Sequence, residues 1–205
     1  MRSGLTIPAV WTRIASTSRS WTELGSTPIA TWIALFRGIN VGGHNKLAMK
    51  ELRADLESLG CEDVGTVIQS GNAVFRSPAR SATRLADSIS ACIEDRHGFR
   101  PAVLVLSRAE LKAAVEGNPF TGDTVDPARL AFFFLTSDPE PAAVKRLKPL
   151  KSSSERYALA AGVFYLHAPD GVGRSKLAAT VEKTLGVTAT ARNLRTVAKL
   201  RDLAG

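Results

Sequence analysis

Apolar positions run almost unbroken through TWIALFRG at 31–38. That length and continuity predict a strand covered on both faces. Next, KLAMKELRADLESLG spaces Leu47, Leu52, Leu56 and Leu59 near a helical period and stops at Gly60, which predicts a helix. VGTVIQSGNAVFRS reads as a hairpin with Ser70-Gly71-Asn72 at its tip, because Gly and Asn tolerate positive φ. ATRLADSISACIEDRHG turns Leu85, Ile89, Cys92 and Ile93 to one side and ends at Gly98, a second amphipathic helix. PAVLVLS is a strand, and RAELKAAVEG a short helix after it.

The order strand, helix, hairpin, helix, strand is the ferredoxin-like βαββαβ unit, and the same order returns. RLAFFFLTS predicts a strand, PEPAAVKRLKPL a short helix, RYALAAGVFYLHAP a hairpin around Ala161-Gly162, and GRSKLAATVEKTLG a helix. VTATA is a weak closing strand, and RNLRTVAKLRDLAG a last helix. The expected class is α+β: two ferredoxin-like halves in tandem, antiparallel sheets with helices on one face. Topology is duplicated, not sequence. Expected boundaries are an N-terminal extension at 1–31, a first half at 32–116, a linker at 117–128 and a second half at 129–205.

Composition adds one feature to this picture. The 205 residues are 44% hydrophobic and 22% charged, ordinary for a chain with a real core, yet the net charge is +8. Residues 121–205 hold thirteen basic and eight acidic side chains, so most of the excess lies in the second half. Such a field favours acidic partners, phosphates or nucleic acid. No apolar run reaches the roughly 20 residues of a membrane span. Cys61 and Cys92 form no CxxC pair, consistent with a reduced, cytoplasmic chain.

Strand directions then place the candidate chemistry. The loop after the first strand, GINVGGHN, and the hairpin tip QSGN fall at the same end of the sheet. One patch would therefore gather Arg37, Gly38, Asn40, Gly42, Gly43 and Lys46 with Gln69, Ser70, Gly71 and Asn72. Glycines let backbone N–H groups face a ligand, and a helix N-terminus adds partial positive charge. Arg37 and Lys46 supply full charges. HAPDGVGRSKL has similar character, with Arg174, Ser175 and Lys176 entering a helix. Ser175 also reads as a simple helix cap. TARNLRTVAKLR adds Arg192 and Asn193. These fifteen residues are the expected anion site.

Neither a Walker loop nor GxGxxG is present, and no Cys/His metal spacing or cofactor fingerprint occurs. His44 is the one histidine in the patch and Ser70 the one candidate nucleophile, with no acid to orient the pair. His167 reads as a buried strand histidine, His97 as a helix-end charge.

Taken together, FRGINVGGHNKLAMKEL, VIQSGNAVFRS, FYLHAPDGVGRSKL and TARNLRTVAKL resemble, in order and spacing, a widespread bacterial family known as domain of unknown function 1697. The resemblance runs from about residue 32 to the C-terminus. It implies two ferredoxin-like α/β halves in one chain, and it implies no activity, cofactor or catalytic residue. Leu194 stands where the family has tryptophan. His44 stands where lysine is common, which weakens a catalytic role for it. The leading expectation is a protein binding a phosphate-bearing ligand, a nucleotide or nucleic-acid backbone. The alternatives are an enzyme of unassigned reaction using the same pocket, or an interaction module pairing through sheet edges.

Overall fold

The computed structural model describes residues 28–67, 71–122 and 125–205. Most of the expected N-terminal extension lies outside the described residues, as do Gln69 and Ser70.

The first half contains β1 (Ala30–Arg37), α1 (Met49–Ser58), β2 (Glu62–Thr66), β3 (Asn72–Ser77), α2 (Ala82–His97) and β4 (Ala102–Ser107). Its antiparallel sheet has the order β2-β3-β1-β4. A helix, α3 (Arg108–Glu116), follows. The second half repeats the plan with β5 (Leu130–Leu135), α4 (Pro141–Lys145), β6 (Arg156–Ala160), β7 (Val163–His167), α5 (Lys176–Leu185) and β8 (Ala189–Asn193), in the order β6-β7-β5-β8. Its trailing helix is α6 (Leu194–Ala204). The chain is thus α+β, with two similar halves in tandem.

Two faces of each central strand are buried, which is why those strands read as apolar runs. Along β1, Trp32, Ala34 and Phe36 join α1 and α2 in an outer core, with Leu52, Leu56, Leu85 and Ile89. The alternate residues Ile33 and Leu35 face the other way. There they meet Leu130, Phe132 and Phe134 of β5 in a core shared by both halves. Phe133 and Ala131 point outward to α4 and α5. The trailing helices supply Leu111, Ala114, Val197 and Leu200 to the shared core.

The pieces interlock. Tyr165 Oη in β7 donates to the Ala114 carbonyl of α3 at 2.7 Å. Leu203 of α6 lies over Gly65 of β2, where a Cβ would sit 2.8 Å from it. Each half's inner sheet face is therefore roofed partly by the other half, a packing that periodicity alone does not encode.

The predicted helix at 46–60 begins later, at Met49. Residues 38–48 are held in a closed loop of their own, described next. The weak VTATA segment becomes β8, shifted to Ala189–Asn193 by its pairing with β5.

Candidate functional site

The loop after β1 is tied to itself at three points. Val41 and His44 bridge across Gly42-Gly43, with φ of +60° and +81°. Positive φ at both central residues is what a two-residue hairpin turn requires. Asn40 clamps Leu47 twice: its Nδ2 donates to the Leu47 carbonyl at 2.8 Å, and its Oδ1 accepts from Leu47 N–H at 2.9 Å. Asn45 Nδ2 donates to the Gly38 carbonyl at 2.9 Å. Both asparagines sit at positive φ, 54° and 50°. The two asparagines and the paired glycines thus close the loop on itself.

One side of this loop opens on a cavity of about 480 Å³ lined by Asn40, Gly43, Lys46, Leu47, Ala48 and Met49. Here α1 begins, and its N-cap is Ala48, which has no side-chain oxygen. The Glu51 carboxylate accepts from Ala48 N–H at 3.2 Å, half of a capping box. The N–H groups of Met49, Lys50 and Glu51 meet no acceptor among the described residues. By contrast, α2, α3, α5 and α6 are each capped by a side-chain oxygen, from Ser81, Ser107, Ser175 and Asn193. Exposed Lys46 stands at this open end.

The other side of the loop faces the second half. Arg37 forms a two-pronged pair with Glu182 of α5, Nη1 to Oε1 at 2.6 Å and Nη2 to Oε2 at 2.7 Å. Glu182 also accepts from Ala189 N–H at 2.8 Å. Burial disfavours charge on Glu182, but hydrogen bonds from Arg37 and Ala189 outweigh it and hold the carboxyl below its usual range.

Arg192 of β8 reaches deeper. Its Nη2 donates to the carbonyls of Phe36 at 2.6 Å and Gly71 at 3.1 Å, its Nη1 to the Ala191 carbonyl at 2.8 Å, and its Nε to Asn72 Oδ1. All four acceptors are neutral. Burial without an anion lowers the guanidinium to about 10. Gly71 is packed so tightly here that a Cβ would lie 2.6 Å from Ile39 and 2.7 Å from Phe36.

The fifteen expected residues therefore divide. Asn40, Gly43 and Lys46 line the open corner, while exposed Gly42 completes the turn. Arg37, Gly38 and Arg192 line a groove between the halves, and Gly71 and Asn72 sit packed beneath Arg192. Asn193 caps α6, accepting from Thr196 N–H at 2.9 Å. Arg174, Ser175 and Lys176 belong to a separate cavity of about 340 Å³ with Lys151, Ser152, Glu155 and Asp170, lined by second-half residues alone. Ser175 caps α5 there, accepting from Ala178 N–H at 3.0 Å. The expected single hollow is thus three separate spaces, the loop corner, the groove between the halves and the second-half cavity.

Sequence reading missed Glu182, the partner that occupies Arg37. It also missed Asp55, buried between α1 and α2, which accepts from Arg96 at 2.8 Å and pairs with His97 Nε2 at 2.9 Å. Its place on the inward face of the first helix, with no apolar character, was the available signal. His167 is buried in β7, where Arg156 Nη2 lies 3.4 Å from its Nδ1. Among the described residues no His, Cys, Asp and Glu group could hold a metal ion, and no helix is long and apolar enough to cross a membrane.

Fold and joint together define a duplicated α+β protein whose halves are stapled by arginines. The family described as protein of unknown function (DUF1697) matches residues 29–165, and the chain belongs to it. A conserved bacterial protein from Streptococcus pneumoniae has a similar structure, with a TM-score of 0.68 and 26% identity, over 87% of this chain and 100% of that one. No curated protein matches the chain.

Proposed function

We propose that this protein binds a phosphate-bearing ligand, a nucleotide or nucleic-acid backbone, at the corner where the 38–48 loop meets α1. The observation that carries this reading is the uncapped start of α1. Three backbone N–H groups, of Met49, Lys50 and Glu51, meet no acceptor among the described residues at the start of this ten-residue helix, and its first residues, Ala48 and Met49, line the cavity beside Lys46. Such an end favours a negatively charged oxygen ligand. Gly43 and Asn40 border the same space, so a phosphate can approach the backbone closely. The excess positive charge of the second half steers anions toward the molecule.

Arg37 has a different role in this reading. Its pairing with Glu182 directs it to the joint, leaving Lys46 as the charged ligand to phosphate. The test is fluorescence anisotropy with labelled ATP and a labelled oligonucleotide at two salt concentrations. Binding should saturate, weaken with salt, and fall about five- to tenfold in Lys46→Ala. Binding to neither probe, or binding indifferent to Lys46→Ala, removes the proposal.

A further inference from the structure

The groove between the halves holds a second opportunity, on different residues from the phosphate corner and independent of it. It encloses about 300 Å³, at the lower end of small-molecule sites, which favour boundaries between modules. Its floor is apolar, formed by Phe36, Ile39, Phe133, Val181 and the alanines of α5. Its charged lining consists of Arg37, Glu182 and Arg192. Arg37 and Glu182 neutralise each other. Arg192 has only neutral acceptors, so the wall keeps one net positive charge beside an apolar surface.

We propose that this groove binds a small organic carboxylic acid, its apolar body on the floor and its carboxylate at the Arg192 side. One net charge suits a monoanion. A phosphate dianion would carry a second charge into an apolar groove with nothing to offset it, a costly arrangement. A guanidinium–carboxylate hydrogen bond is charge-assisted and stronger than a neutral one. Glu182 tunes the site, because its carboxylate opposes the incoming one while holding Arg37.

The experiment is a two-dimensional amide NMR titration with benzoate, using benzyl alcohol as the neutral match and inorganic phosphate as the probe of the other corner. Benzoate should shift Ile39, Ala179 and Ala191 saturably, at least fivefold tighter than benzyl alcohol, and leave Met49 and Lys50 in place. Phosphate should do the reverse. Ala179→Phe, on an exposed position lining the groove, should fill it and abolish benzoate binding with the spectrum still folded. Glu182→Gln should strengthen binding about fivefold. Equal shifts from benzoate and benzyl alcohol, benzoate shifts confined to α1, or unchanged binding in a folded Ala179→Phe would each overturn the proposal.

Discussion

Arg192 Nη2 in the last strand of the second half donates to the Gly71 carbonyl at the hairpin tip of the first, at 3.1 Å. The same nitrogen reaches the Phe36 carbonyl at 2.6 Å. One guanidinium thus fastens two segments of one half to the other. Replacing it takes the guanidinium from the buried Phe36 carbonyl, at about 1–3 kcal/mol for an unsatisfied group, while the Gly71 carbonyl keeps its bond from Phe36 N–H at 2.9 Å. Arg192→Met should therefore lower unfolding free energy by about 2 kcal/mol in urea titrations. Arg192→Lys should rescue little, since an ammonium cannot reproduce the planar fork. A loss under about 0.5 kcal/mol, the range of an ordinary surface change, would contradict the clamp.

Gly71 and Gly43 separate two reasons for glycine. Both have positive φ, +76° and +81°, yet a Cβ on Gly71 meets Ile39 and Phe36 while one on Gly43 meets nothing within 4 Å. Gly43→Ala should cost about 1 kcal/mol, from backbone strain alone. Gly71→Ala should add about 1–3 kcal/mol of overpacking. Thermal denaturation of both variants gives the comparison, and equal losses would refute it.

Asp55 is buried and serves both Arg96 and His97 of α2, tying that helix to α1. Asp55→Ala should destabilise by about 3 kcal/mol, because hydrogen bonds to charged groups are worth about 1.5–3 kcal/mol. Arg96 is half exposed, so Arg96→Ala should cost far less, under about 1 kcal/mol. Chemical denaturation would expose the opposite ranking.

His167 gives a pH dependence. Burial, with help from the nearby Arg156 charge, lowers its affinity for a proton below the ordinary value of 6.5. In the window beneath 6.5 the unfolded chain therefore binds more protons than the folded one. Stability should fall as pH drops through that window and be complete above it. His167→Gln should flatten the slope of melting temperature between about pH 5 and 7. An unchanged slope would show that other groups govern it.

The fold was legible because local signals agreed. The run at β1 announced a strand covered on both faces, Gly60 and Gly98 stood where helices stop, and Ser175 stood where one begins. The topology followed from the order of elements. What local signals cannot carry is the meeting of Arg37 with Glu182 and of Arg192 with Gly71. These pairs are far apart in the chain, and each arginine alone looks like a solvated strand end. The 38–46 loop was recognisable as unusual from its glycines and asparagines. Whether those residues served a ligand or the loop depended on Asn40 folding back to Leu47, a contact within the loop that composition does not reveal.

The shared core has a consequence for how this chain can be divided. Ile33, Leu35 and Val74 from one half pack with Phe132, Phe134 and Tyr165 from the other. Severing the polypeptide near residue 120 would give two fragments, each baring an oily sheet surface. Such fragments would be sticky alone and soluble mainly when mixed, so the tandem repeat works as one indivisible body.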